Sequence, residues 1–137
     1  MKEEYIKGLL VEPNKLPKEI TFKNDLETKQ KLVKGYIECA YLQNDNDVVL
    51  IVNEEHKILG MEWNRDIGYD IIGGPFLIVG DDYENGEFKS LTDAQILKYK
   101  IAEKYSSRRR KLYTISSIKS RSEEFIQEYP IVLSTTY

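Results

Sequence analysis

Apolar positions fall in short bursts along this chain, and two of the bursts set its frame. VVLIV at residues 48–52 and PFLIVG at residues 75–80 are brief, bounded by turn residues and rich in β-branched or aromatic side chains. That pattern predicts strands buried on at least one face. Upstream, residues 5–12 predict a first strand closed by Pro13 and Asn14, and residues 19–23, where Ile20 and Phe22 alternate with polar neighbours, predict a second that returns as a hairpin. Asn24 followed by Glu27 offers a helix start, and the helix runs to Lys34 before Gly35 ends it. Its apolar stripe is Leu26 with Leu32 and Val33, which leaves Lys29, Lys31 and Lys34 to solvent. Residues 36–42, YIECAYL, alternate again, with Ile37, Cys39 and Tyr41 facing one way and Tyr36, Glu38, Ala40 and Leu42 the other.

Between the two framing strands, EEHK predicts a hairpin tip ahead of the short run KILG, and MEWNRDIGYDIIGG a polar return loop. After Gly80, Asn85-Gly86 suits a tight turn, so residues 81–88 predict a loop or short hairpin. Thr92 and Gln95 form a capping box, and the helix it opens extends to about Tyr105, with Ile96, Tyr99 or Lys100, and Ala102 or Glu103 in successive turns, Leu97 and Ile101 widening the apolar side, and Lys98, Lys100 and Lys104 mostly outward. SSRRRK then breaks the pattern as a basic connector, LYTISSI suits a strand, and residues 122–129 suit a short helix stopped by Pro130. The tail from Ile131 to Tyr137 is apolar and β-prone, fit to add a strand to a second copy. The fold class this predicts is α+β, a mainly antiparallel sheet with two principal helices and a C-terminal β-prone extension.

Composition adds bounds. A chain of 137 residues, 41% hydrophobic and 31% charged, predicts one domain over residues 1–137. Neither a membrane helix, which needs roughly 20 apolar residues, nor a signal peptide fits the sequence, so the expected location is intracellular, in the cytoplasm. One cysteine and one histidine, Cys39 and His56, exclude an internal disulfide and a cysteine-cluster zinc site, and no cofactor is expected. Asp45 and Asp47 lack the glycine and terminal glutamate of a calcium loop. Cys39, beside Glu38, reads as a small core side chain and not a nucleophile.

Charge is uneven. Residues 1–88 carry ten Lys or Arg against eighteen Asp or Glu, net -8, whereas residues 89–121 carry ten against two, net +8. A basic segment in an acidic protein can attract an anion without general affinity for nucleic acid. Two groups of residues combine cations, aromatic faces and fixed donors, the features that hold a nucleotide. One is Trp63, Asn64, Arg65, Tyr69 and Asp70; the other is Tyr105, Arg108, Arg109, Arg110 and Tyr113. Arg65 has a competing role, pairing with Asp66 or Asp70 to close its loop.

The order of GYIECAYL, VVLIVNEEHKILGMEWNRDIGYDIIGGPFLIVGDD and GEFKSLTDAQILKY resembles the family known as domain of unknown function 3846, over about residues 5–105. The matching positions are Tyr36, Ile37, Glu38, Asn53, Glu54, Gly60, Asn64, Arg65, Asp70, Ile71, Ile72, Gly73, Phe76, Gly80, Phe88, Ser90, Leu91, Thr92 and Asp93. Residues 106–137 lie beyond the resemblance. It implies a small accessory protein of phages, plasmids and other mobile elements, largely of Gram-positive bacteria, and it supplies no catalytic residues.

The expected function is therefore non-enzymatic. It is a phage or mobile-element protein that counters host defence by binding, most concretely by sequestering an anionic nucleotide-type signal in a homo-oligomer. Two alternatives stand beside it: an inhibitor that binds a host defence protein directly, and a nucleic-acid-binding factor using residues 89–121. An enzyme would need a tuned histidine or paired carboxylates in a cleft, and the sequence offers neither.

Overall fold

A computed structural model describes the backbone of residues 2–107, with side chains as far as Lys100. The elements are β1 (Tyr5–Val11), β2 (Lys18–Lys23), α1 (Leu26–Val33), β3 (Ile37–Ala40), β4 (Val48–Asn53), β5 (Trp63–Asp66), β6 (Ile71–Gly73), β7 (Phe76–Asp82), β8 (Glu87–Lys89) and α2 (Asp93–Ser107). All strand pairs are antiparallel, so the α+β reading holds. The main sheet runs β2-β1-β7-β4-β3, with β8 paired to the far half of β7, and β5-β6 form a separate two-stranded sheet. The basic run from Arg108, the strand and helix read at residues 112–118 and 122–129, and the tail Ile131 to Tyr137 lie outside the described residues.

Period-two patterning divides the core. Leu9, Val11, Val48, Leu50, Val52, Phe76 and Ile78 face one side, where Ile67 and Ile72 of the small sheet region and Leu91, Ile96 and Tyr99 of α2 and its approach cover them. Ile6, Phe22, Val49, Ile51, Leu77 and Val79 face the other, beneath Val33 of α1. β4 and the first five residues of β7 are buried throughout because they lie at the middle of the sheet with both faces covered. The Asn85-Gly86 turn forms as expected, Gly86 taking φ of 67° between β7 and β8. So does the capping box, Thr92 Oγ1 accepting from the Gln95 amide and Gln95 Oε1 from the Thr92 amide.

Several expectations are corrected. The cap of α1 is Asp25 and not Asn24: Asp25 Oδ1 accepts from the Thr28 amide at 2.8 Å, while Asn24 turns inward and donates to the Glu3 carbonyl. The buried stripe differs as well. Leu26 is exposed, and Lys29 is buried with its ammonium 4.6 Å from the centre of the Phe88 ring. Burial pushes the Lys29 pKa down. In α2, Leu97 is exposed instead of widening the apolar side, while Ile96 and Tyr99 are buried; the side chain of Ile101 lies outside the described residues.

Between β4 and β5 the chain makes no simple hairpin. It winds through successive turns over residues 54–60, because β4 takes β3 and β7 as its neighbours and leaves no edge for a returning strand. The polar return loop is itself structured as β5 and β6, with an irregularity between Trp63 and Arg65.

Candidate functional site

Asn64 and Arg65 sit at the centre of the region singled out by sequence, and both are turned into the fold. The Asn64 side-chain amide donates to the Val11 carbonyl at 2.9 Å and to the Gly74 carbonyl at 2.8 Å, joining the end of β1 to the turn after β6. Gly74 has φ of 71°, which keeps that turn open to glycine at little cost. Asn64 Oδ1 accepts from Arg65 Nη1 at 2.6 Å. Arg65 Nη1 also donates to the Asn64 carbonyl, and Nη2 donates to the Lys15 carbonyl at 2.7 Å, across the loop between β1 and β2. On the same loop the Asn14 amide donates to the Glu62 carboxylate.

Arg65 is only 7% exposed, and burial lowers its pKa to about 9. Its guanidinium therefore serves as a planar clamp on backbone carbonyls. Asp66 Oδ1 accepts from the Gly68 amide at 2.8 Å and burial raises its pKa. Asp70 holds Lys57 Nζ at 2.6 Å and its own neighbour, the Ile71 amide. Trp63 is half-buried on the same small sheet. Of the first predicted set, Tyr69 alone stands clear: it is 54% exposed, and its hydroxyl donates to the Tyr41 carbonyl at 2.6 Å. In the second set, Tyr105 lies on α2 with its side chain outside the described region, as are Arg108, Arg109, Arg110 and Tyr113.

The structure adds residues that sequence reasoning passed over. Asn53 is fully buried; its amide donates to the Val33 and Lys34 carbonyls at 3.1 and 3.2 Å, and its Oδ1 accepts from the Glu55 amide at 2.7 Å. Asn53 thus closes the C-terminal end of α1. His56, read as a hairpin tip, is 7% exposed, and its Nδ1 accepts from the Gly73 amide at 3.0 Å. That bond requires neutral imidazole, and burial lowers the His56 pKa. No sequence signal marked either role, because the partners are backbone groups from distant segments.

The sign of the His56 effect follows. A folded-state pKa below the ordinary value of about 6.5 means its stabilisation is complete above that pH and is lost as pH falls through the lowered value. Urea unfolding on both sides of that value should show wild type losing stability on acidification relative to His56→Gln. Equal pH slopes for the two proteins would refute the role.

Cys39 is half-buried on the core beside β4, and burial, reinforced by Asp81, pushes its thiol pKa up. Iodoacetamide should therefore modify it much more slowly in native than in urea-unfolded protein, and equal rates would show the thiol to be open.

What remains on the surface is an aromatic and aliphatic rim. Tyr36 is 65% exposed, Tyr41 54%, Ile58 84% and Leu59 58%. Tyr36 and Tyr41 flank β3, Tyr69 touches Tyr41, and the turns carrying Ile58 and Leu59 begin beside Tyr36, whose carbonyl accepts from the Glu54 amide. Among the described residues, no helix is long and apolar enough to cross a membrane.

Fold and surface together define an α+β domain in which Asn64 and Arg65 serve its own architecture, and in which Tyr36, Tyr41, Ile58, Leu59 and Tyr69 lie exposed on β3 and the turns around it, with Tyr5, Leu16, Leu26, Tyr83 and Leu97 exposed elsewhere. The chain belongs to the family described as a domain of unknown function, DUF3846, which it matches over residues 6–106. No curated protein and no solved structure matches it.

Proposed function

We propose that this protein acts by binding, without catalysis, as an accessory protein of a phage or other mobile element that neutralises a polypeptide component of host defence. The observation that carries the binding reading is the rim of Tyr36, Tyr41, Ile58, Leu59 and Tyr69, apolar surface that the core does not use. Exposed apolar and aromatic side chains carried on neighbouring segments suit a contact surface, and tyrosine is among the residues enriched at such surfaces. The mobile-element setting implied by the family resemblance supplies the counter-defence context.

Sequestration of an anionic nucleotide-type ligand is the second form of the reading. Exposed Tyr69 and the basic run beginning at Arg108, directly after α2, support it. Arg65 no longer does, since its guanidinium is held by carbonyls.

Expression in cells carrying individual defence systems should restore plating of a sensitive phage for at least one system. An Ile58→Ser/Leu59→Ser variant, altered only on exposed turns, should lose that rescue. Failure to rescue across a broad panel would refute the counter-defence role. Native mass spectrometry of the protein with linear and cyclic nucleotides separates the forms: a retained, intact nucleotide supports sequestration, and a chemically altered one would overturn the non-enzymatic reading.

A further inference from the structure

The two edges of the main sheet differ. β2 carries exposed Lys18, Glu19 and Lys23, charges of both signs that discourage strand addition. β3 is uncharged apart from Glu38, and among the described residues it is paired with β4 alone. Its backbone orientation can be worked out. The Glu54 amide donates to the Tyr36 carbonyl, and Tyr36 and Glu54 continue the register in which Ile37 faces Asn53. In an antiparallel ladder, bonded and non-bonded pairs alternate, so Glu38 and Ala40 turn their backbone groups to β4 while Ile37 and Cys39 turn theirs outward. The outward carbonyl of Tyr41 is already taken by Tyr69, which closes one end of the edge.

The exposed carboxylate of Glu38 selects what can pair there. A second copy using the outward groups of both Ile37 and Cys39 would centre the pair on Glu38, setting two carboxylates directly opposite at a non-hydrogen-bonded site, where side chains lie closest. A strand with a cation at that place gains an ion pair instead. On the side of Tyr36 and Glu38, Glu54 is exposed and Lys57 is engaged by Asp70, while Lys29 lies on the other side, near Cys39, and Lys34 precedes Tyr36 at the end of α1. Residues 1–88 as a whole carry net charge -8.

We propose that the outer edge of β3 binds an extended, basic strand of a partner protein in antiparallel register, with a lysine or arginine opposite Glu38 and the flanking Tyr36 and Tyr41 packing on its apolar side chains. This rests on the polypeptide-partner form of the proposed function and names the chemistry of that partner. Backbone pairing supplies the adhesion, and Glu38 supplies the discrimination.

Amide NMR of the full chain tests it with two blocked peptides alternating threonine and valine, one with a central lysine and one with a central glutamate. The lysine peptide should shift the Ile37 and Cys39 amides several-fold more than the glutamate peptide. Glu38→Lys should reverse that order. Cys39→Pro removes an outward N–H without touching the β4 ladder, and it should abolish the shifts while the remaining spectrum stays dispersed. No shift with either peptide, or equal shifts that ignore Glu38→Lys, would overturn the proposal. Concentration-dependent protection of these amides in the free protein would overturn it in favour of a second copy. Peptide binding without rescue of phage plating would refute the counter-defence reading and leave the edge intact. Rescue that survives Cys39→Pro, with no peptide bound, would refute the edge alone.

Discussion

Replacing Arg65 with methionine should lower the unfolding free energy by about 1–3 kcal/mol, because the substitution keeps volume while stripping part-buried acceptors of their charged donor. The acceptors affected are the Lys15 carbonyl and both oxygens of Asn64. Arg65→Lys should recover only part of the loss, since an ammonium cannot reproduce the planar fork that spans Lys15 and Asn64 together. Urea denaturation of the three proteins measures it. A methionine variant as stable as wild type would mean the guanidinium is held for another purpose, and a ligand role for Arg65 would return.

The second large effect belongs to Asn53→Ala, expected to cost about 2–4 kcal/mol by orphaning the buried Val33 carbonyl and removing the partner of the part-buried Lys34 carbonyl and Glu55 amide. Here two elements loosen at once, the end of α1 and the first turn after β4. Hydrogen exchange should accelerate in both segments together, and a thermal melt unchanged from wild type would refute the assignment. Gly35 belongs to the same arrangement: a Cβ there would lie 2.7 Å from the Asn53 amide nitrogen, so Gly35→Ala should destabilise through the same contact.

These two asparagines and the arginine explain where sequence reading succeeded and where it stopped. Strands β4 and β7 were legible because burial on both faces leaves an unbroken apolar run, and the Asn85-Gly86 turn and the Thr92–Gln95 box were legible because their chemistry is local. Asp25 displaced Asn24 as the cap because both residue types suit that position and only the chain's path from β2 decides between them. Lys29 defied its polarity because Phe88, far away in sequence, offers its ring. Residues 61–74 read as a binding loop for a related reason. Trp63, Asn64, Arg65 and Tyr69 are the side chains a ligand site would use, and three of them, Asn64, Arg65 and Tyr69, are the side chains that fasten β5 and the turn before β6 to the carbonyls of Val11, Lys15 and Tyr41. Residue type alone does not separate a donor aimed at a ligand from one aimed at the protein's own backbone.

The position of β7 also governs when the molecule can assemble. Leu9 pairs with Ile78, so the centre of the sheet joins the start of the chain to a strand far along it. During synthesis, β1 with β2, and β4 with β3, can each form early, yet they present two open apolar flanks until residues 76–82 emerge between them. Nascent chains halted before that strand are sticky hairpins. Folding is accordingly expected to be slow for so small a protein, with a ribosome-bound chain open to its neighbours until β7 arrives.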